Sequence, residues 1–102
     1  FAADPMALAL AQTAIDKGFD KALPSSERSF LYMPFMHSES ALIHEVAEVL
    51  FTVLGVSNTL GFEMKHKKIV DRFGRYPHRN TILGRASSAE ELVFLQEPNS
   101  SF

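Results

Sequence analysis

Three glycines punctuate this chain of 102 residues, and they constrain its fold more than any other feature. Gly18, Gly55 and Gly74 each stand where an apolar run of helical period stops. Glycine enters the left-handed conformation that closes a helix at little steric cost. The openings are marked as well. Asp4-Pro5 reads as an N-cap followed by proline at the first helical position, where its missing N–H costs nothing. Met6 to Lys17 is rich in Ala and Leu, so a first helix is predicted over about 5–17. Pro24 or Ser25 opens a second, with Glu27 in its first turn. Phe30, Leu31, Met33, Phe35 and Met36 make it apolar almost all round, which predicts a central, buried helix. Pro34 should kink or end it near Phe35.

Ser38 is the expected N-cap of a third helix over about 39–54. Leu42, Ile43, Val46, Val49, Leu50 and Val53 recur there at three- and four-residue steps. Asn58 or Thr59 opens a fourth over about 60–73, with Phe62, Ile69, Val70 and Phe73 on one side and lysines on the other. His66 belongs with the apolar side as a satisfied, half-buried histidine. A last short helix starts at Ser88, and Glu91 completes a capping box; Leu92, Val93, Phe94 and Leu95 supply its apolar face before Pro98. Residues 74–86 have no clean period. The fold class is therefore all-α, a single domain over 1–102. About five helices stand as antiparallel neighbours, in a bundle or as solenoid hairpins, with an irregular Arg-rich segment.

The charge is uneven. Residues 1–63 carry eight acids and three bases, and 64–85 carry seven bases and one acid. That favours internal ion pairing or capture of a small anion. A long nucleic-acid footprint is disfavoured, because the surrounding acids oppose it. The absence of cysteine excludes disulfides and thiol chemistry. No apolar run approaches the ~18 residues of a membrane span. The chain begins Phe1-Ala2-Ala3, which reads as a cut N-terminus. Localisation stays open: the cytoplasm for a bacterial chain, or an organelle such as the mitochondrion if a leader has been removed.

Two segments could carry chemistry. His37-Ser38-Glu39 pairs an imidazole with a carboxylate, enough for acid–base work but too few ligands for a metal. The structural alternative gives Glu39 to the helix dipole and His37 to a carbonyl. His44-Glu45 with Glu48 lacks the second histidine of a zinc helix and reads as a solvated acidic face. The second segment holds Arg72, Arg75, His78, Arg79, Asn80 and Arg85, set among Gly74, Pro77 and Gly84. Guanidinium forks recognise carboxylate or phosphate, or they tie an irregular stretch to helix ends and acids. No phosphate-loop pattern is present. Neither a metal nor a cofactor is expected.

Tyr32-Met33-Pro34-Phe35-Met36-His37-Ser38-Glu39 and the stretch from Arg72 to Arg85 resemble the two signature segments of the DUF924 family, found mainly in bacteria. Residues from Phe1 to Gly18 and from Glu90 to Phe102 fit the same family. The resemblance implies a tetratricopeptide-like helical-hairpin fold in an uncharacterised family, and a chain that corresponds to the C-terminal portion of a longer protein. Ser40-Ala41-Leu42-Ile43-His44 departs from it, since relatives are more acidic and polar there. Two functions are expected. One is a helical interaction or scaffold module within a larger assembly, with a protein partner or a missing N-terminal region covering the first helix. The other is a site for a small phosphate or carboxylate, built from His37, Glu39, Arg75, His78, Arg79 and Asn80.

Overall fold

A computed structural model describes residues 4–98 and 100. Among them the chain is all-helical: α1 is Asp4–Asp16, α2 Ser25–Met36, α3 Ala41–Leu54, α4 Ser57–Phe73 and α5 Ala89–Phe94. Short 3-10 turns lie at Phe19–Ala22 and Pro77–Arg79. The start Phe1-Ala2-Ala3 and the final Ser101-Phe102 lie outside the described residues. α1 packs on α2, α2 on α3 and α3 on α4, while α2 also reaches α4. Helices packed along each other and joined by two to four residues must run antiparallel, as α2, α3 and α4 do. Gly55 and Gly74 close α3 and α4 with φ of 78° and 73°.

The main core gathers Ala11, Tyr32, Phe35, Met36, Ala47 and Phe51. A second joins Ile69, Val70, Tyr76 and Phe94. α2 continues through Pro34 and stops two residues later, where the His37 N–H donates to the Met33 carbonyl (3.0 Å). The ring holds φ in helical range but removes one donor, so the end is brought close and the helix is not broken at once.

Several expectations need correction. The cap of α3 is Ser40, whose Oγ accepts from the Ile43 N–H (3.4 Å), not Ser38. Ser38 Oγ instead accepts from the Ser40 N–H (3.1 Å) in the turn, which keeps Glu39 outside the helix. α4 starts at Ser57, three residues before the expected start, because Val56 is already extended and no side chain is needed to cap it. α2 is not buried all round: Phe30 is 79 % exposed, since neighbours cover only its Tyr32, Phe35 and Met36 side. On α3 the buried stripe is Ile43, His44, Ala47, Leu50, Phe51 and Leu54. Leu42, Val46, Val49 and Val53 lie on a second apolar stripe that faces outward. Phe62 likewise points out of α4, and Leu92 and Val93 out of α5. The capping box of α5 forms as expected, with Ser88 Oγ accepting from Glu91 N–H and the Glu91 carboxylate accepting from Ser88 N–H.

Ser40→Ala should lower stability by about 1 kcal/mol. Ser38→Ala should cost less, because its hydroxyl serves the turn and not the helix. Urea unfolding followed by circular dichroism separates the two, and an equal or reversed order would assign the cap to Ser38.

Candidate functional site

The turn after α2 and the segment after α4 meet at Glu39. Its carboxylate accepts the two Nη groups of Arg85 at 3.0 and 3.1 Å and the backbone N–H of Tyr76 at 2.6 Å. Arg79 Nη1 lies 4.0 Å away. Burial alone would raise this carboxyl, but the Arg85 hydrogen bonds and the Tyr76 N–H outweigh it and hold it below its ordinary range. Arg79 is buried and donates to the His37 carbonyl (3.0 Å), with Asp4 at 3.8 Å. Arg85 also donates to the Asn80 side-chain oxygen and the Tyr76 carbonyl. Asn80 Nδ2 in turn donates to Ser87 Oγ (3.0 Å).

The remaining arginines lie elsewhere. Arg75 forks onto both oxygens of Glu91 at 2.7 and 2.9 Å and donates to the Ala86 carbonyl. That guanidinium, with the Ser88 N–H, holds the Glu91 carboxyl at about 2 against the opposing effect of burial. Arg72 pairs with Glu90 on the surface (3.3 Å). His78 is half-buried beside the Tyr76 ring. Burial lowers its pKa and Arg79 adds to that, against Glu39.

A cleft of about 460 Å³ opens beside this junction, between α1, the end of α2 and the 3-10 turn. His37, Glu39, Arg79 and Asp4 line it, with Leu8 and Leu83 among the apolar walls. His37 is exposed there. Partial cover of its ring lowers the pKa; Asp4 works against this and Arg79 with it, which favours the neutral imidazole. The cleft can therefore offer a neutral base, a guanidinium and two carboxylates.

Beneath the junction lies a polar core that sequence reasoning missed. His44, expected on a solvated face, is fully buried together with Glu63, because α3 turns its Ala47–Phe51 stripe inward and His44 lies on that stripe. His44 Nδ1 faces both Glu63 oxygens, at 2.8 and 3.1 Å. His44 Nε2 lies 2.6 Å from the Ser38 carbonyl, which only accepts, so Nε2 carries hydrogen. The Tyr76 hydroxyl donates to the Met36 carbonyl (2.5 Å) and so receives from Nε2 at 2.8 Å. One proton is therefore held between Nδ1 and Glu63. Burial pushes the Glu63 carboxyl up, and the His44 hydrogen bond pulls it back. His66 is buried too and its Nδ1 lies 2.6 Å from the Phe62 carbonyl; burial pushes its pKa down to about 4. The signal available in the sequence was position: Glu63, His66 and Val70 repeat at three and four residues on the core stripe of α4. Among the described residues no group of three or more His, Asp or Glu stands close enough to hold a metal. No helix among them is long and apolar enough to cross a membrane.

The family model described as "Bacterial protein of unknown function (DUF924)" matches residues 1–99. No curated protein matches the chain. Among solved structures, the chain is similar to the protein of unknown function ATU0120 from Agrobacterium tumefaciens, with 41 % identity and a TM-score of 0.88. The match covers 94 % of this chain and 54 % of that one, so the chain spans about half the length of that structure.

Tyr76→Phe should destabilise the fold by about 1–3 kcal/mol, because it strips the buried Met36 carbonyl of its donor. Stability should also depend on pH with a definite sign. His66 is lowered to about 4 from 6.5, and Glu91 to about 2 from 4.5. Each contributes stability that is complete above its ordinary value and lost as pH falls through the folded one. Thermal midpoints should therefore hold above pH 7, decline from about 6.5 towards 4 as His66 is forced to charge, and decline again towards 2. His66→Asn should reduce the first decline, to which the likewise lowered His37 and His78 add, and leave the second unchanged; a first decline unaltered by that variant would contradict the His66 assignment.

Proposed function

The chain belongs to the DUF924 family, and from that premise we propose that it is a helical interaction module of tetratricopeptide-like fold, a scaffold element working within a larger assembly. The observation that carries this is the outer stripe of α3. Leu42, Val49 and Val53 are 73, 61 and 77 % exposed, and Val46 continues the line. Four large apolar side chains at i, i+4, i+7 and i+11 form a seam suited to a second apolar helix. The stripe contributes almost nothing to this domain's own core, so folding does not explain it. Val46 also edges a groove that runs between α1 and α3, with Phe35 among its lining residues. Met6 and Leu10 of α1 are exposed as well, which supports a partner along the first helix.

A second reading rests on the cleft at His37 and Arg79. Its neutral imidazole beside a guanidinium supports binding of a small carboxylate or phosphate. Asp4 and Glu39 oppose an anion there, and Arg75, Asn80 and Arg85 are already bonded within the fold. The interaction reading is therefore preferred.

A photo-crosslinking residue placed at Val49 should give a discrete adduct in extract of the source cell. The variant carrying Leu42→Gln and Val53→Gln should lose that adduct while its thermal midpoint stays within experimental spread. No adduct, or an adduct indifferent to the two glutamines, would remove the module reading. For the cleft, titration with inorganic phosphate or acetate should move the His37 ring resonance saturably if the second reading holds.

A further inference from the structure

α4 and α5 enclose a second groove that shares no residue with the α3 stripe or the His37 cleft. Its volume is about 280 Å³. Its apolar floor is Ile69, Phe73 and Phe94, with the two phenyl rings 4.9 Å apart between centroids. Lys65, Lys68 and Arg72 stand on its rim. They follow at three- and four-residue steps on α4, so their heads lie along one edge. The Arg72 guanidinium already rests 4.5 Å over the Phe73 ring and 5.7 Å from that of Phe94. It shares its charge with Glu90, and Glu97 also lines the groove, so the cations still outnumber the acids. Among the described residues, neither Lys65 nor Lys68 has a carboxylate within ion-pair distance. These two are thereby set apart from the other basic side chains between Lys67 and Arg85. Lys67 is drawn to Asp71, and Arg72, Arg75, Arg79 and Arg85 each face a carboxylate.

We propose that this groove is a binding site for a small amphipathic anion: a flat apolar body, aryl in size, bearing one terminal phosphate or carboxylate. The body lies against Ile69, Phe73 and Phe94 beside the Arg72 guanidinium that already rests on those rings, and the anionic end reaches Lys65 and Lys68. Two features set the class. The volume lies at the small end of ligand sites, so the body is a single ring and not a nucleotide. The floor is aromatic while the rim is cationic, so neither a neutral ring nor a bare ion uses the whole site.

The test is a titration of the 102-residue protein by NMR, following the Ile69 methyl and the Phe94 ring. The probes are phenyl phosphate, phenylacetate, benzyl alcohol and inorganic phosphate. Phenyl phosphate or phenylacetate should shift both resonances saturably, at least ten-fold more tightly than benzyl alcohol or inorganic phosphate. Whichever of the two binds more tightly identifies the head group. The Lys65→Glu, Lys68→Glu double variant changes two exposed helical positions, and its circular dichroism should be unchanged; its affinity should fall at least ten-fold. Benzyl alcohol binding as tightly as the anions would overturn the site, as would inorganic phosphate doing so. Silence of both resonances towards every probe, or undiminished binding by the double variant, would overturn it equally.

Discussion

The phenol of Tyr76 reaches across the end of three helices, and the rest of the architecture depends on where it goes. Its hydroxyl meets the Met36 carbonyl and the His44 ring, its N–H meets Glu39, and its carbonyl accepts from Arg85. A single residue thus closes α2, shields a histidine–carboxylate pair and anchors the segment that follows α4. An irregular stretch can lie against a core only if its backbone groups find partners. Here Tyr76 and Arg85 supply them. The same residue joins both hydrophobic clusters, since its ring sits with Ile69 and Val70 while its hydroxyl reaches the end of α2.

The glycine stops and the cap of α5 were legible in the sequence because they act locally, while the starts of α3 and α4 were misplaced by two to three residues. Gly55, Gly74 and the Ser88–Glu91 box do what their chemistry requires regardless of the tertiary fold. The inward face of α3 was not legible. That helix carries two apolar stripes side by side, and the more aliphatic one, Leu42 to Val53, is the outer one. Phe51 and Ala47 define the inner stripe together with His44, whose polarity disguised it. A histidine fits there only because Glu63 arrives from α4, and that pairing is a tertiary fact. At the candidate site, residue types foretold that arginines would meet acids. Which guanidinium meets which carboxylate depends on chain path: Arg85 goes to Glu39, but Arg75 goes to Glu91 in α5.

The arginines of the basic strip find carboxylates within the molecule: Glu39 and Asp4 from the acidic body, Glu90 and Glu91 from α5. The acidic body and the basic strip are adjacent in space as well as in sequence, and most guanidinium groups end on carboxylates from other elements. Partly covered pairs of this kind hold better than exposed ones, because less solvent screens them and fork geometry fixes both partners. What remains outward is distributed by helix: aliphatic groups on α3, and ammonium groups beside aromatic rings on α4. Two neighbouring helices of one hairpin therefore present chemically distinct surfaces.

The contacts made by Glu39 span 37 residues to Tyr76 and 46 to Arg85. During synthesis, α2 and α3 emerge from the ribosome before Tyr76 and Arg85 do. The nascent hairpin must then carry Glu39 solvated and His44 uncovered until the stretch through Arg85 emerges. Completion of the polar interior is thus deferred to a late stage of translation. Any stall before that point strands an intermediate in which the inner face of the α2–α3 hairpin, Phe51 and His44 included, is not yet covered by the later elements.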